Sequence, residues 1–191
     1  MYDIEIKNAI IIDGLGKEPY SGNLYVKDGK IIAITNGESF DADISIDATG
    51  KVVTPGFIDL HTHSDISFLL DSTAQSKVRQ GVTLELIGNC GLSLCAPLIG
   101  DAREMFDTWV SDHTDSYDPY WTDYAGYIDA SKKAKATVNI AFQIGHASLR
   151  LAVMGQEDRP PTADELTEMK RLAGESMDAG ALGFSTGLFY A

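Results

Sequence analysis

Beyond Pro55-Gly56 the chain alternates short apolar runs with stretches of helical periodicity, and few folds accept that pattern. The runs fall at residues 56–60, 82–87, 138–144 and 181–185. Strand-length runs separated by helices are the mark of repeated βα units, in which helices cover the faces of a parallel sheet. Between the third and fourth runs, Thr162-x-x-Glu165 forms a capping box, and Leu166, Met169, Leu172, Ala173 and Met177 repeat at helical spacing up to Gly180. Residues 101–135 also carry helical periodicity, with Met105, Phe106, Trp109 and Val110, then Tyr124, Tyr127 and Ile128. Two helices joined around Asp118-Pro119 account for it. Aromatics at this spacing read first as core side chains, with the lining of a substrate pocket as the alternative.

The first part of the chain reads differently. Ile4, Ile6 and Ile10-Ile11-Ile12 are strand-like and lead to a turn at Asp13-Gly14. Asp28-Gly29, flanked by Tyr25-Val26 and Ile31-Ile32, predicts a hairpin, because a type I′ turn needs positive φ at both central positions. Further short strand-like pieces at 44–46 and 52–53 precede Pro55-Gly56, where the character changes. A small antiparallel β domain over residues 1–54, followed by an α/β domain over 55–191, is the expected organisation.

Composition excludes several classes of function. The formal charge of -13, with only 15 Lys and Arg, gives no basic surface for nucleic acid. Residues 1–7 alternate polar with apolar and lack the basic start and apolar run of a signal peptide, and no apolar stretch approaches ~20 residues. No membrane partner is expected, and the cytoplasm is the default location. The two cysteines, Cys90 and Cys95, read as thiols rather than as a disulfide.

The sharpest chemical feature is Gly56-Phe57-Ile58-Asp59-Leu60-His61-Thr62-His63. Side chains two apart on a strand point to one face, so a strand through this run would present both imidazoles to one point at its C-terminal end. That suits a metal, although a chance or surface pair of histidines satisfies the spacing as well. In a (β/α)8 barrel the same end of the strands carries the active site. Cys90, in Gly88-Asn89-Cys90-Gly91 after the second run, would face the same mouth, and a thiolate with imidazoles suits zinc. Burial as an inert thiol is the alternative for Cys90 and the simpler reading of Cys95. His146 and Arg150 follow the third run, where a cation can hold a substrate carboxylate, or Arg150 can pair with one of the chain's many acids. Ser185 reads as a packing or capping residue, and His113 as an exposed one.

The run from Val53 to Asp65, with Pro55-Gly56-Phe57-Ile58-Asp59-Leu60-His61-Thr62-His63 at its centre, resembles the first barrel strand of the amidohydrolase superfamily. Gly81-Val82-Thr83, Gly88-Asn89-Cys90-Gly91, Gly145-His146-Ala147-Ser148-Leu149-Arg150 and Gly183-Phe184-Ser185-Thr186-Gly187-Leu188 are similar to the N-acyl-D-amino-acid deacylase branch. The resemblance spans essentially the whole chain. It implies about the first four βα units of a (β/α)8 TIM barrel behind a small β domain. It also implies zinc-dependent hydrolysis of N-acyl-D-amino acids to a carboxylate and a free D-amino acid, with His61, His63 and Cys90 as metal ligands. Tyr190 resembles a pocket tyrosine that meets the substrate carboxylate. Hydantoinases and dihydroorotases, the cyclic-amide hydrolases of the superfamily, commonly bridge two metals with a carboxylated lysine, so Cys90 favours the deacylases. Nickel, cobalt or manganese also bind imidazole, but a thiolate favours zinc.

The resemblance further implies two more histidine ligands and a catalytic aspartate from later strands, none of them in residues 1–191. The expectation is therefore the N-terminal portion of a longer protein, or one chain of a pair in which a second chain completes the barrel, inactive alone. A non-catalytic chain that binds only metal or a partner is the rival from another class.

Overall fold

The structure is a computed structural model that describes residues 1–94, 97–111 and 120–188. It divides into two compact units, Met1–Gly56 and Phe57–Ala191.

In the first unit, strands β1 (Tyr2–Ile11), β2 (Tyr20–Lys27), β3 (Lys30–Thr35), β4 (Ala42–Asp47) and β5 (Val52–Val53) form one sheet in the order β3-β2-β1-β4, with β5 also on β1. The hairpin between β2 and β3 turns at Asp28 and Gly29, whose φ of 51° and 70° are the two positive values a type I′ turn requires. The sheet is not wholly antiparallel: β4 and β5 both run parallel to β1. Since β2 already occupies one edge of β1, later strands can join only at the other. Periodicity marks a strand but does not name its partner.

Glu5 is buried in this unit and accepts hydrogen bonds from Tyr25 Oη (2.8 Å), Ser39 Oγ (2.7 Å) and Ser45 Oγ (2.8 Å). These donors, that of Ser39 foremost, hold its carboxyl below the usual range. Hydrogen bonds to a charged group are worth about 1.5–3 kcal/mol, so Glu5→Gln is expected to cost roughly that much in urea unfolding at neutral pH. A carboxyl with a depressed folded pKa adds stability above its ordinary value of 4.5 and loses it as pH falls through the folded value. The gap between the two proteins should therefore narrow only below about pH 4.5. A gap that stays constant from pH 7 to pH 3 would disprove this account.

The second unit is built on a four-stranded parallel sheet in chain order: β6 (Phe57–Asp59), β7 (Val82–Ile87), β8 (Asn139–Gly145) and β9 (Gly183–Ser185). These are the four runs expected from the sequence, arranged as the first strands of a (β/α)8 barrel. Two one-turn helices, α1 (Ser67–Leu70) and α2 (Gln75–Val78), link β6 to β7. Helices α3 (Gly100–Ser111) and α4 (Tyr124–Ala134) precede β8, and α5 (His146–Met154) and α6 (Ala163–Asp178) precede β9. The join near Asp118-Pro119, like His113 and Cys95, lies outside the described residues. At α6 the capping box is complete, with Thr162 and Glu165 bonding each other's backbone N–H, and Arg159 braces Glu165 with two 2.7 Å contacts.

The core lies between the sheet and its helices. Phe106, Tyr124 and Tyr127, three of the aromatics expected at helical spacing, are buried there with Trp121 against Ile87, Phe142, Ile144 and Leu149, and Phe106 also reaches a cavity wall. Phe57, Ile58, Leu60 and Phe184, in or beside the outer strands β6 and β9, are each more than half exposed. Among the described residues no helix is long and apolar enough to cross a membrane.

Candidate metal centre

The strand that carries the histidine pair stops early. β6 ends at Asp59, paired with Glu85 of β7, so His61 and His63 stand beyond the strand in irregular backbone. The alternation of a pleated strand is therefore not what brings them together. Their rings nonetheless approach, with centroids 5.7 Å apart at 68°. Cys90 arrives from the turn after β7, and its Sγ lies 3.2 Å from His61 Nε2. One donor atom from each of His61, His63 and Cys90 falls within 4.8 Å of the others.

This donor set fits zinc. Ligands held about 2.0–2.3 Å from one ion sit roughly 3.3–3.8 Å apart at tetrahedral angles. The separations here need only small side-chain adjustments to reach that. Two imidazoles and a thiol also match the preference of zinc in kind. The histidines are exposed and the cysteine half-buried, so the cluster is open on one side.

The turn that carries Cys90 is strained and firmly held. Gly88, Cys90 and Gly91 have φ of 78°, 57° and 80°, and a non-glycine residue in that region persists only when its surroundings impose it. Ser185 of β9 accepts the N–H of Gly91 at 3.1 Å and donates to the carbonyl oxygen of Gly88. Gln143 of β8 donates to Asn89 Oδ1 at 3.0 Å, and Asn89 in turn donates to the carbonyl of Thr62 at 3.2 Å. On the far side, Ser93 Oγ accepts the Gly145 N–H (2.7 Å) while Ser148 Oγ accepts the Ser93 N–H (2.8 Å).

Two acids flank the histidines. Asp59 accepts the backbone N–H of His61 (3.1 Å) and the ammonium of Lys77 (2.6 Å), and the Lys77 bond foremost holds its carboxyl below the usual range. Asp65 is buried and accepts the Gly88 N–H at 3.1 Å, linking the histidine segment to the cysteine turn. Burial pushes its carboxyl up to about 7. A cavity of about 310 Å³ opens beside His63 and Asp65, with walls that include Leu92, Met105, Phe106 and Ser148.

Of the remaining expected residues, His146 and Arg150 are described, and neither belongs to the donor cluster. His146 is the first residue of α5, with its ring centroid 6.0 Å from that of Phe184. Desolvation, then the charge of Arg150, depresses its pKa. Arg150 Nη2 donates to the carbonyls of Glu157 (3.2 Å) and Arg159 (3.1 Å) rather than to a carboxylate. Tyr190 lies outside the described residues. Sequence reasoning missed Asp59, Asp65, Lys77, Asn89 and Gln143, and took Ser185 only as a packing or capping residue. Asp59, Asp65 and Asn89 lie within two residues of a donor, a signal that was available; Lys77 and Gln143 carry none.

Known proteins place this geometry in context. The sequence profile of the amidohydrolase family matches residues 45–191. A D-aminoacylase of Alcaligenes xylosoxydans xylosoxydans is 39% identical over 189 residues, which cover 99% of this chain and 38% of that protein. The crystal structure of an N-acyl-D-glutamate deacylase from Bordetella bronchiseptica, complexed with zinc and a phosphonate inhibitor that mimics the tetrahedral intermediate, is 36% identical with a TM-score of 0.85, over 99% of this chain and 39% of that one. A D-aminoacylase described as having a binuclear metal centre, with one-metal activation and second-metal attenuation, is 35% identical with a TM-score of 0.89, over 100% of this chain and 40% of that one. The chain thus spans about two fifths of the length of the proteins it matches.

Proposed function

The chain belongs to the amidohydrolase family, and from that premise we propose that the protein hydrolyses the amide of N-acyl-D-amino acids, releasing a carboxylate and a free D-amino acid. The observation that carries the reading is the convergence of His61, His63 and Cys90 within 4.8 Å. On this reading the three side chains hold zinc. Bound there, zinc supplies Lewis acidity, which brings the pKa of water toward ~7 and polarises the amide carbonyl.

The chain's own residues then do three things. The Cys90 turn and the histidine segment hold the donors in place. The cavity beside His63 offers the substrate's apolar part a largely apolar wall. His146, Arg150 and Tyr190 are the proposed partners of the substrate carboxylate, with Arg150 supplying the cation. The carboxylate that moves the proton is assigned to a part of the protein outside residues 1–191. A cytoplasmic location goes with this reading, and D-aminoacylases and N-acyl-D-glutamate deacylases as relatives support the substrate class.

The test is turnover by the full-length protein supplied with zinc. N-acetyl-D-amino acids, including N-acetyl-D-glutamate and N-acetyl-D-leucine, are expected to be cleaved with a kcat/KM at least about tenfold above their L-enantiomers and above hydantoin and dihydropyrimidine. Faster opening of the cyclic amides would overturn the proposal in favour of a cyclic-amide hydrolase.

A further inference from the structure

The pairing of β6 with β7 ends at Asp59 and Glu85, so the histidines beyond it take their position from side chains and not from the sheet. One ammonium supplies two of those bonds. Lys77, in α2, donates from Nζ to Asp59 Oδ2 at 2.6 Å and to Thr62 Oγ1 at 2.9 Å, gripping the chain on both sides of His61. Each grip leads to a donor. The other oxygen of Asp59 accepts the N–H of His61 (3.1 Å), while the carbonyl of Thr62 accepts Asn89 Nδ2 (3.2 Å), one residue before Cys90.

The same ammonium answers a charge problem. Glu85 is 1% exposed, and among the described residues its Oε2 has no hydrogen-bond partner but sits 4.0 Å from Lys77 Nζ. Asp59 and Glu85 are cross-strand neighbours. Without a cation between them, two carboxylates on adjacent strands repel, and the segment that follows Asp59 is the one free to move. The Lys77 side chain is only 23% exposed, so this is not the solvated surface pair that contributes little.

We infer that Lys77 is a positioning residue for the metal donors: its ammonium fixes the segment 59–62 and thereby the approach of the His61 imidazole to the Cys90 thiol. The inference rests on the proposed reading that these side chains hold a metal. Groups that only orient ligands commonly change metal affinity by about 10–100-fold.

Cobalt(II), which reports on its ligands by absorption, is the probe, titrated into the full chain. The wild type is expected to show a thiolate-to-cobalt charge-transfer band that Cys90→Ser removes. Lys77→Met is expected to bind cobalt at least about tenfold more weakly and with altered ligand-field bands, and Lys77→Arg to recover part of that loss. Far-UV circular dichroism establishes that each variant is folded. Should Lys77→Met not fold, Thr62→Val keeps the shape and the ion pair but removes one grip, and a severalfold weaker affinity is expected. A folded Lys77→Met, or in its place Thr62→Val, with wild-type affinity and spectrum overturns the inference and leaves the metal site standing. A wild-type chain without a Cys90-dependent band overturns the metal reading itself, and this inference with it.

Discussion

Cys90→Ala is expected to take zinc from near one ion per chain to background, and the double variant His61→Ala/His63→Ala to do the same, when each protein is purified without chelator and analysed for metal. The expected loss of affinity is at least a hundredfold. Residues that merely orient a ligand already account for about 10–100-fold, and a site with three donors of its own has none to spare against the usual four. Cys95→Ala is the control expected to change nothing. Zinc retained at the wild-type level by the Cys90 variant would remove the thiol from the site. Zinc absent from the wild-type chain as well would overturn the assignment of a metal to these three donors.

Gly145→Ala is expected to be strongly destabilising through steric overlap alone. A Cβ at this position would stand 2.3 Å from the carbonyl oxygen of Gly91 and 2.8 Å from the nitrogen of Leu92, both of them backbone atoms. The φ of Gly145 is -86°, so alanine meets no conformational penalty there and the effect is purely steric. Overpacking of this kind costs about 1–3 kcal/mol where side chains can yield, and more where backbone must. The backbone that must yield here belongs to the Cys90 turn. Chemical denaturation should therefore show a loss of at least roughly 3 kcal/mol, accompanied by weaker zinc binding. Gly174→Ala, in α6 with open space around the added atom, is expected to move stability by up to about 1 kcal/mol in the stabilising direction. Equal stability of Gly145→Ala and the wild type would show that the packing of β8 against the cysteine turn is not as close as described.

Much of this fold was legible because it is written in periodicity. The four parallel strands announced themselves as apolar runs, α6 by its capping box, and the β2–β3 hairpin by Asp28-Gly29. What stayed hidden follows from the same logic. The four-residue helices α1 and α2 are too short to display a period. The parallel placement of β4 and β5 depends on which edge of β1 is free, a property of the sheet and not of either strand. At the site, residue type and spacing made His61, His63 and Cys90 candidates and the family resemblance supplied their expected role, but the reason for their meeting could not be read. The strand ends two residues before His61, and the bonds that hold the segment come from Lys77 and Asn89, 15 and 27 residues beyond Thr62.

The hydroxyl of Ser185 sets a timetable. It binds the Cys90 turn across separations of 94 and 97 residues, whereas the bond from Asp59 to the His61 N–H spans 2. Contacts between residues distant in sequence must overcome the entropy of closing a long loop and so tend to form after local ones. The bond that sets His61 can thus form early, while the last strand of the sheet decides when the thiol is held. Assembly of the donor set is kinetically downstream of nearly the whole parallel sheet, although the donors themselves lie within 30 residues of sequence.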